Sequence, residues 1–316
     1  MEWKRKFAES NGITMHYVEA GDGPLVVLCH GFPESWYSWR HQIMALAKAG
    51  FRVIAPDQRG YGQTTAPQAI GDYSIFHLVG DIVGLVQAAN ESNAVIIGHD
   101  WGAPVAWSAA MLRPDIFRAV GLLSVPYMAR GPVSPVRALA AAYAPKVFYM
   151  QYFQDEGVAE RELEQDVRRT MLSFLYSASG ESDFPSFGAI EPGHGILSAM
   201  RTPKALPAWL TDADLDFFVS EFSRTGFRGG LNWYRNLERN WALTGFQDGA
   251  KIEQPSVFIA GQTDPVLVFA APAFEAMKMT MPKLRKTLVL PGAGHWIQQE
   301  RPNEVNAALL EFLSGL

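Results

Sequence analysis

Ala94-Val95-Ile96-Ile97-Gly98-His99-Asp100-Trp101-Gly102-Ala103 decides how the rest of the chain is read. An unbroken apolar run gives way, through a turn flanked by Gly98 and Gly102, to the helical pattern Trp101–Arg113, which Pro114 stops. Small residues on either side of one polar residue suit a strained strand-to-helix elbow, in which other backbone passes too close for a Cβ. Asp100 stands where such an elbow usually carries Ser. An aspartate there also suits a helix N-cap, but an acid and a histidine further along the chain favour the chemical role.

Outward from the elbow, apolar runs recur at Leu25–His30, Arg52–Asp57, Ala119–Pro126, Ser256–Asp264 and Lys286–His295, most of them ending near Gly, Pro or Asp. Continuous hydrophobicity marks strands buried on both faces, as in a parallel sheet. Helical patterns at Ser35–Gly50 and Ser74–Asn90 alternate with them, which predicts an α/β fold with a mostly parallel central sheet flanked by helices. From Pro126 to Pro255 the strand runs vanish, and mixed apolar, aromatic and charged residues follow helical spacing across Val147–Ser177 and Asp212–Leu243. Because strands resume afterwards, the stretch is an insertion. The expected organisation is a core part at 1–127, an inserted helical cap at 128–245 and a second core part at 246–316, with a long loop at Gly180–Gly193.

With 48% hydrophobic and 19% charged residues in 316, the chain can bury a sizeable core. A net charge of −5 and the lack of any Lys/Arg stripe argue against nucleic acid or anionic membrane as partner. The one cysteine, Cys29, cannot form an internal disulfide, and it is expected to pack as a small apolar residue. No signal-peptide pattern or 18-residue apolar run occurs, and Ser314-Gly315-Leu316 lacks the basic middle residue of a peroxisomal address. A soluble cytoplasmic protein is expected.

Two further groups come in the order nucleophile, acid, histidine. Asp264 lies in Gly261-Gln262-Thr263-Asp264-Pro265 and His295 in Gly292-Ala293-Gly294-His295-Trp296, each after a predicted strand. Catalytic groups gather at the carboxyl ends of strands in open α/β sheets, so the three are expected to converge. An aspartate in place of serine changes the reaction class: a carboxylate, with a reference pKa of ~3.9, is already a nucleophile toward saturated carbon. An ester on the enzyme results. His295, oriented by Asp264, would deprotonate a water that attacks this ester. The Trp101 N–H, and one from the loop His30-Gly31-Phe32-Pro33 with Phe32 as candidate, would stabilise the oxyanion. No cofactor or metal is required. Asp57-Gln58-Arg59-Gly60-Tyr61-Gly62 is read as a structural turn with an Asp–Arg contact, and His99 as packing within the elbow.

The chain resembles the epoxide hydrolases of the α/β-hydrolase fold, particularly the C-terminal hydrolase domain of the vertebrate soluble enzyme. The likeness rests on His30-Gly31-Phe32-Pro33-Glu34-Ser35-Trp36-Tyr37-Ser38-Trp39-Arg40, on Gly98-His99-Asp100-Trp101-Gly102 and on Gly294-His295-Trp296. In the insertion it rests on Tyr152-Phe153-Gln154-Asp155-Glu156-Gly157-Val158-Ala159-Glu160 and Asn232-Trp233-Tyr234-Arg235-Asn236. The resemblance implies conversion of an epoxide and water to a vicinal diol, with two cap tyrosines, at the matching positions Tyr152 and Tyr234, donating a proton to the epoxide oxygen. The vertebrate enzyme's additional phosphatase domain has no counterpart here, so no second activity is implied.

Two other readings share the fold. A haloalkane dehalogenase would use the same Asp nucleophile with the Trp101 indole holding halide; the Phe32 loop and the paired tyrosines favour the epoxide. A non-catalytic ligand receptor would gain nothing from an intact Asp100, Asp264 and His295. The substrate is expected to be a mainly apolar epoxide, since the insertion supplies Phe148, Phe153, Phe174, Trp209, Phe217, Phe218, Phe222 and Trp233.

Overall fold

The computed structural model describes residues 2–183 and 188–316. The chain opens on strands β1 (Lys4–Ser10) and β2 (Ile13–Ala20), then β3 (Leu25–Cys29), helix α1 (Arg40–Lys48), β4 (Arg52–Pro56), α2 (Ile75–Ala88), β5 (Ala94–His99), α3 (Gly102–Leu112) and β6 (Phe117–Leu123). After an intervening helical segment come β9 (Ser256–Gly261), α11 (Pro265–Phe269), α12 (Ala271–Thr280), β10 (Leu284–Leu290), α13 (Ile297–Glu300) and α14 (Pro302–Ser314). Eight strands form one sheet in the order β1-β2-β4-β3-β5-β6-β9-β10, antiparallel from β1 to β4 and parallel beyond.

Alternate residues of the central strands face two apolar layers. Val27, Ile96 and Leu122 meet α2 and α3, whereas Val26, Ile97 and Ile259 meet α1 and α14. The continuous runs of the central strands thus fill both faces, as parallel sheets require. In α2, Ile75, Leu78, Val79, Ile82, Leu85 and Val86 repeat at one-turn spacing and are buried. Helix α3 is buried almost all round, and it holds the nucleophile elbow at its N-terminal end.

Two expectations are corrected here, and one element is new. The β1–β2 hairpin was not anticipated: its residues alternate in burial along β1 and turn at Asn11-Gly12, both with positive φ, the usual signature of a tight hairpin. Strand β10 alternates between half-buried and exposed instead of being buried on both faces, because it lies at the sheet edge. In the 57–62 turn the Asp–Arg contact is made with another element. Arg59 reaches Asp81 on α2 at 2.8 and 2.6 Å, while Asp57 takes the ring of His16 at 2.7 Å and the Trp36 N–H at 3.2 Å.

Between β6 and β9 lie α4 (Pro135–Tyr143), strand β7 (Val147–Phe148), α5 (Tyr149–Tyr152), α6 (Val158–Leu163), α7 (Val167–Ser177), strand β8 (Ala189–Ile190), α8 (Asp212–Thr225), α9 (Arg228–Arg235) and α10 (Leu237–Leu243). β7 pairs with β8, so part of the loop expected at 180–193 is a strand, and residues 184–187 of that loop lie outside the described residues. This segment is fastened to the sheet domain by polar contacts: the Trp233 indole donates to the Arg59 carbonyl at 3.0 Å, and the Tyr37 hydroxyl donates to Asp214 at 2.9 Å.

Arg59 joins three parts of the chain, since its guanidinium also donates to the Asn11 carbonyl at 3.3 Å. Arg59→Met leaves Asp81 buried without its cation, which costs about 3–5 kcal/mol. Urea denaturation should show that loss, and the double variant Arg59→Met with Asp81→Leu should recover much of it.

Candidate functional site

Asp100 sits at φ +50° between β5 and α3, a left-handed conformation that costs a non-glycine residue about 1–3 kcal/mol and persists only where the surroundings impose it. Glycines make the turn possible. A Cβ at Gly98 would strike the Gly102 carbonyl, and one at Gly31 would strike the Asp100 carboxyl itself. The strained backbone lifts the Asp100 side chain off the sheet toward the ends of β3 and β9.

There it meets the expected partners. Asp100 Oδ1 accepts the Phe32 N–H at 2.8 Å, and Oδ2 lies 3.3 Å from His295 Nε2. The other ring nitrogen, His295 Nδ1, lies 3.1 Å from both oxygens of Asp264, and Asp264 Oδ1 also accepts the Val266 N–H at 2.8 Å. Asp100, Asp264 and His295 are all buried. Burial works against a charged ring, yet Asp264 foremost, with Asp100 beside it, holds the His295 pKa well above the ordinary histidine value. His295 thus sits between two acids that both favour its charged form. Trp101 caps α3, so its backbone N–H, next to Asp100, is one of the leading donors for which a helix has no internal acceptor.

Beneath the triad lies a second layer that sequence reasoning missed. His99 does pack within the elbow, with more consequence than packing: its Nδ1 lies 2.8 Å from Glu34 Oε2 and its Nε2 2.7 Å from the His295 carbonyl. Burial would raise the Glu34 pKa, but His99 and the Ser38 hydroxyl bring it down to about 2. Glu34 Oε2 also accepts the Gly31 N–H at 3.2 Å, and Oε1 accepts the side chains of Gln298 and Gln299, each at 3.1 Å. One buried carboxylate thus joins the Phe32 loop to the histidine loop. Glu300 does the same on the far side: it accepts the Gly294 and Trp296 N–H groups at 2.9 and 3.0 Å and the Gly180 N–H at 2.8 Å. The available signal for Glu34 was an acid set in the aromatic run from His30 to Arg40.

These contacts bring the elbow, acid and histidine together, and the sequence around them matches known proteins along its length. The alpha/beta hydrolase fold family matches residues 24–302. Epoxide hydrolase A of Mycobacterium tuberculosis is 46% identical over 98% of this chain and 97% of its own length. Bifunctional epoxide hydrolase 2 of Sus scrofa is 42% identical over 96% of this chain and 53% of that protein. The chain belongs to the epoxide hydrolases of the α/β-hydrolase fold. Among solved structures, an epoxide hydrolase from an endophytic Streptomyces superposes with a TM-score of 0.97 at 45% identity, covering 99% of this chain and 96% of that one. Epoxide hydrolase A from Mycobacterium thermoresistibile gives 0.95 at 48% identity, covering 100% and 99%.

For the two phenols expected beside Asp100, one expectation is corrected. Tyr234, on α9, is where it was expected: buried beside Asp100, edge-on to Trp101 and Phe32. Tyr152 is elsewhere. It is half-buried, and its hydroxyl donates to Glu162 at 2.7 Å, where Glu162 also accepts the Ile196 and Leu197 N–H groups. The residue facing Asp100 is Tyr149, buried, with its ring centroid 5.9 Å from that of Tyr234. Tyr149 and Tyr152 open and close the one-turn helix α5, and three residues of helix turn a side chain to about 60° from its starting direction. Burial, then the neighbouring Asp100 and Asp264, push the Tyr149 pKa well above the ordinary phenol value. Burial, then Tyr149 and Asp100, do the same for Tyr234, against a contrary pull from the Trp101 side chain. Both shifts favour the neutral phenol.

The nucleophile opens on two lobes of very different size. The larger, about 350 Å³, runs past Trp107, Met111, Leu139, Met150 and Trp241 to Arg130; the smaller, about 20 Å³, lies against Phe32, Phe174, His295 and Trp296. Of the eight insertion aromatics expected as lining, only Phe174 borders either lobe. Among the others, Phe148, Phe153, Phe218, Phe222 and Trp233 are buried in packing.

Because Asp264 is the foremost influence raising the His295 pKa, Asp264→Asn should lower it while the burial penalty remains. In side-chain NMR of labelled histidine, His295 of the variant should titrate at a lower pH than wild-type His295; identical titration curves would contradict the role of Asp264.

Proposed function

We propose that the protein hydrolyses apolar epoxides to vicinal diols through a covalent ester on Asp100. The observation that carries this reading is the single carboxylate held between the Phe32 N–H at 2.8 Å and the His295 ring at 3.3 Å, below two buried, neutral phenols. In this reading residues 128–245 are the cap that brings Tyr149 and Tyr234 over the core, with 1–127 and 246–316 forming that core.

Asp100 attacks one epoxide carbon as its C–O bond breaks. The alkoxide takes a proton from Tyr149 or Tyr234, and the resulting phenolate recovers one from the His295 imidazolium. Ester formation also removes the negative charge of Asp100, one of the influences that hold the proton on His295. His295 then becomes the base at the stage that needs one. The small lobe, at about 20 Å³, has room for one water, and it borders His295. That water gives its proton to His295 and attacks the ester carbonyl, whose oxygen gathers charge against the Phe32 and Trp101 N–H groups. Collapse breaks the ester bond, and the departing alkoxide takes the remaining proton of the water-derived hydroxyl, which releases the diol. Asp100 returns as a carboxylate carrying one oxygen from water, and His295 again carries its proton.

Halide departure would need no proton, so a pair of buried phenols over the nucleophile favours the epoxide over a haloalkane. The unequal lobes support a substrate that carries its bulk on one side of the ring. A single buried cysteine, Cys29, suits a reducing cytoplasmic setting, and no helix among the described residues is long and apolar enough to cross a membrane.

His295→Gln should retain ester formation and lose its hydrolysis. Intact-protein mass spectrometry after mixing with styrene oxide should show the protein plus one substrate mass, and an unmodified protein that still consumes epoxide would refute the ester. Tyr149→Phe should reduce kcat/KM by about 10²-fold or more, whereas Tyr152→Phe should leave it within about threefold. Equal losses in the two variants would return the donor role to Tyr152.

A further inference from the structure

Ser124 directly follows β6 and is fully buried, yet its φ is +66°, in the left-handed region that a non-glycine residue rarely occupies. Its neighbours close a three-residue turn around it. The Val125 N–H donates to the Leu123 carbonyl at 2.8 Å across this central positive φ, which is the rare and strained form of such a turn. The Ser124 N–H is committed to the Ile259 carbonyl of β9 at 2.9 Å. Past the turn the chain enters the wall of the larger lobe, which Val125 and Tyr127 line. Glycine would make the same turn without strain, so the hydroxyl is what serine adds. That hydroxyl donates to the His295 carbonyl at 2.7 Å.

Strain of this kind persists only where the surroundings impose it, and it gathers at functional sites. Here it serves the residue whose ring lies 3.3 Å from Asp100 and borders the small lobe. His99 Nε2 lies 2.7 Å from the same carbonyl, but a ring nitrogen donates only when it carries the proton, whereas a hydroxyl facing a carbonyl always donates. We propose that Ser124 is a positioning residue for the second half of the reaction: its hydroxyl anchors the His295 backbone so that the ring reaches the hydrolytic water. The inference rests on the epoxide-hydrolase reading of the same site and adds to it a residue specific to ester hydrolysis. Asp100 is placed for attack by its own elbow and by the Phe32 N–H, so ester formation does not depend on this anchor. Water activation does, because a base displaced by about 1 Å loses up to about 10²-fold in rate.

Two variants separate the hydroxyl from the strain: Ser124→Ala removes the donor and keeps the strained turn, and Ser124→Gly removes both. Rapid-quench mass spectrometry with styrene oxide follows the ester on the intact protein through one turnover. In both variants its decay should slow by about fivefold or more, while its formation stays within about twofold of wild type. A variant that is merely less well folded would show a smaller amount of ester decaying at the wild-type rate, and that pattern overturns the proposal. Slow decay confined to Ser124→Ala also overturns it, because the loss would then belong to the backbone. Side-chain NMR of labelled histidine reads the anchor without turnover, and the His295 ring signals should shift in both variants. Shifted His295 signals in a protein that opens no epoxide would uphold the positioning role and sink the catalytic reading. A wild type that forms and clears the ester, matched in both rates by the two variants, would do the reverse.

Discussion

The His295 ring set between two buried acids, 3.1 Å from Asp264 and 3.3 Å from Asp100, is the interaction on which the rest of the structure depends. Two buried acids on either side of an imidazole are tolerable in a low-dielectric site only while the ring is charged, because either carboxylate without its counterion would bear a heavy desolvation cost. The same arrangement stores what the proposed reaction needs. Turning Asp100 into an ester removes one anion, after which the ring has less reason to keep its proton. No moving part is required for the histidine to change from proton source to base, since the covalent step itself resets the local electrostatics.

Such a balance demands that the three side chains keep their separations of 3.1 and 3.3 Å, although they come from loops after three different strands. The surrounding structure is arranged to that end. His295 is gripped by its own backbone: its N–H donates to the Ala178 carbonyl, and its carbonyl accepts from His99 and from the Ser124 hydroxyl. Glu34 and Glu300 are buried carboxylates that accept backbone and side-chain donors of the catalytic loops, and each holds two separate segments at once. A loop fixed by a charged acceptor on each side has little freedom to drift, which is how loops reach the precision usually reserved for helices and strands.

The reach of the interactions involved decides how much of the molecule is legible in its sequence. The elbow at Gly98–Gly102 was legible because strand, glycine, acid and glycine are adjacent in the chain, and the order Asp100, Asp264, His295 repeats a topological rule. The central strands were legible because burial on both faces leaves an unbroken apolar run. The β1–β2 hairpin was missed because a strand at one edge alternates instead, and its Asn11-Gly12 turn was the clue. The partner of Arg59 was out of reach: Asp81 is 22 positions away, and nothing local distinguishes it from Asp57. His99, Glu34 and Glu300 act only through contacts that long-range folding creates. Tyr149 and Tyr152 differ by less than one helical turn, and a motif match that covers one of them carries no information about helix phase.

The division of the helical segment also explains why its many aromatics proved a poor guide to the cavity. Large rings do two incompatible jobs there. Phe153, Phe227 and Trp233 pack edge-on around Phe32, Tyr61 and Tyr234, which fixes the Phe32 loop and the Tyr234 phenol but consumes the space around them. Space for a ligand survives only on the other side of Asp100, where Leu139, Met150 and Leu237 line the wall together with Trp107 and Met111 from α3. The crowded side keeps the reacting groups still and leaves room for little more than water; the open side accepts length. A chain that must hold a strained nucleophile and also admit an extended apolar molecule gains from separating these tasks spatially, because tighter packing at the triad then costs nothing in the volume available to the substrate.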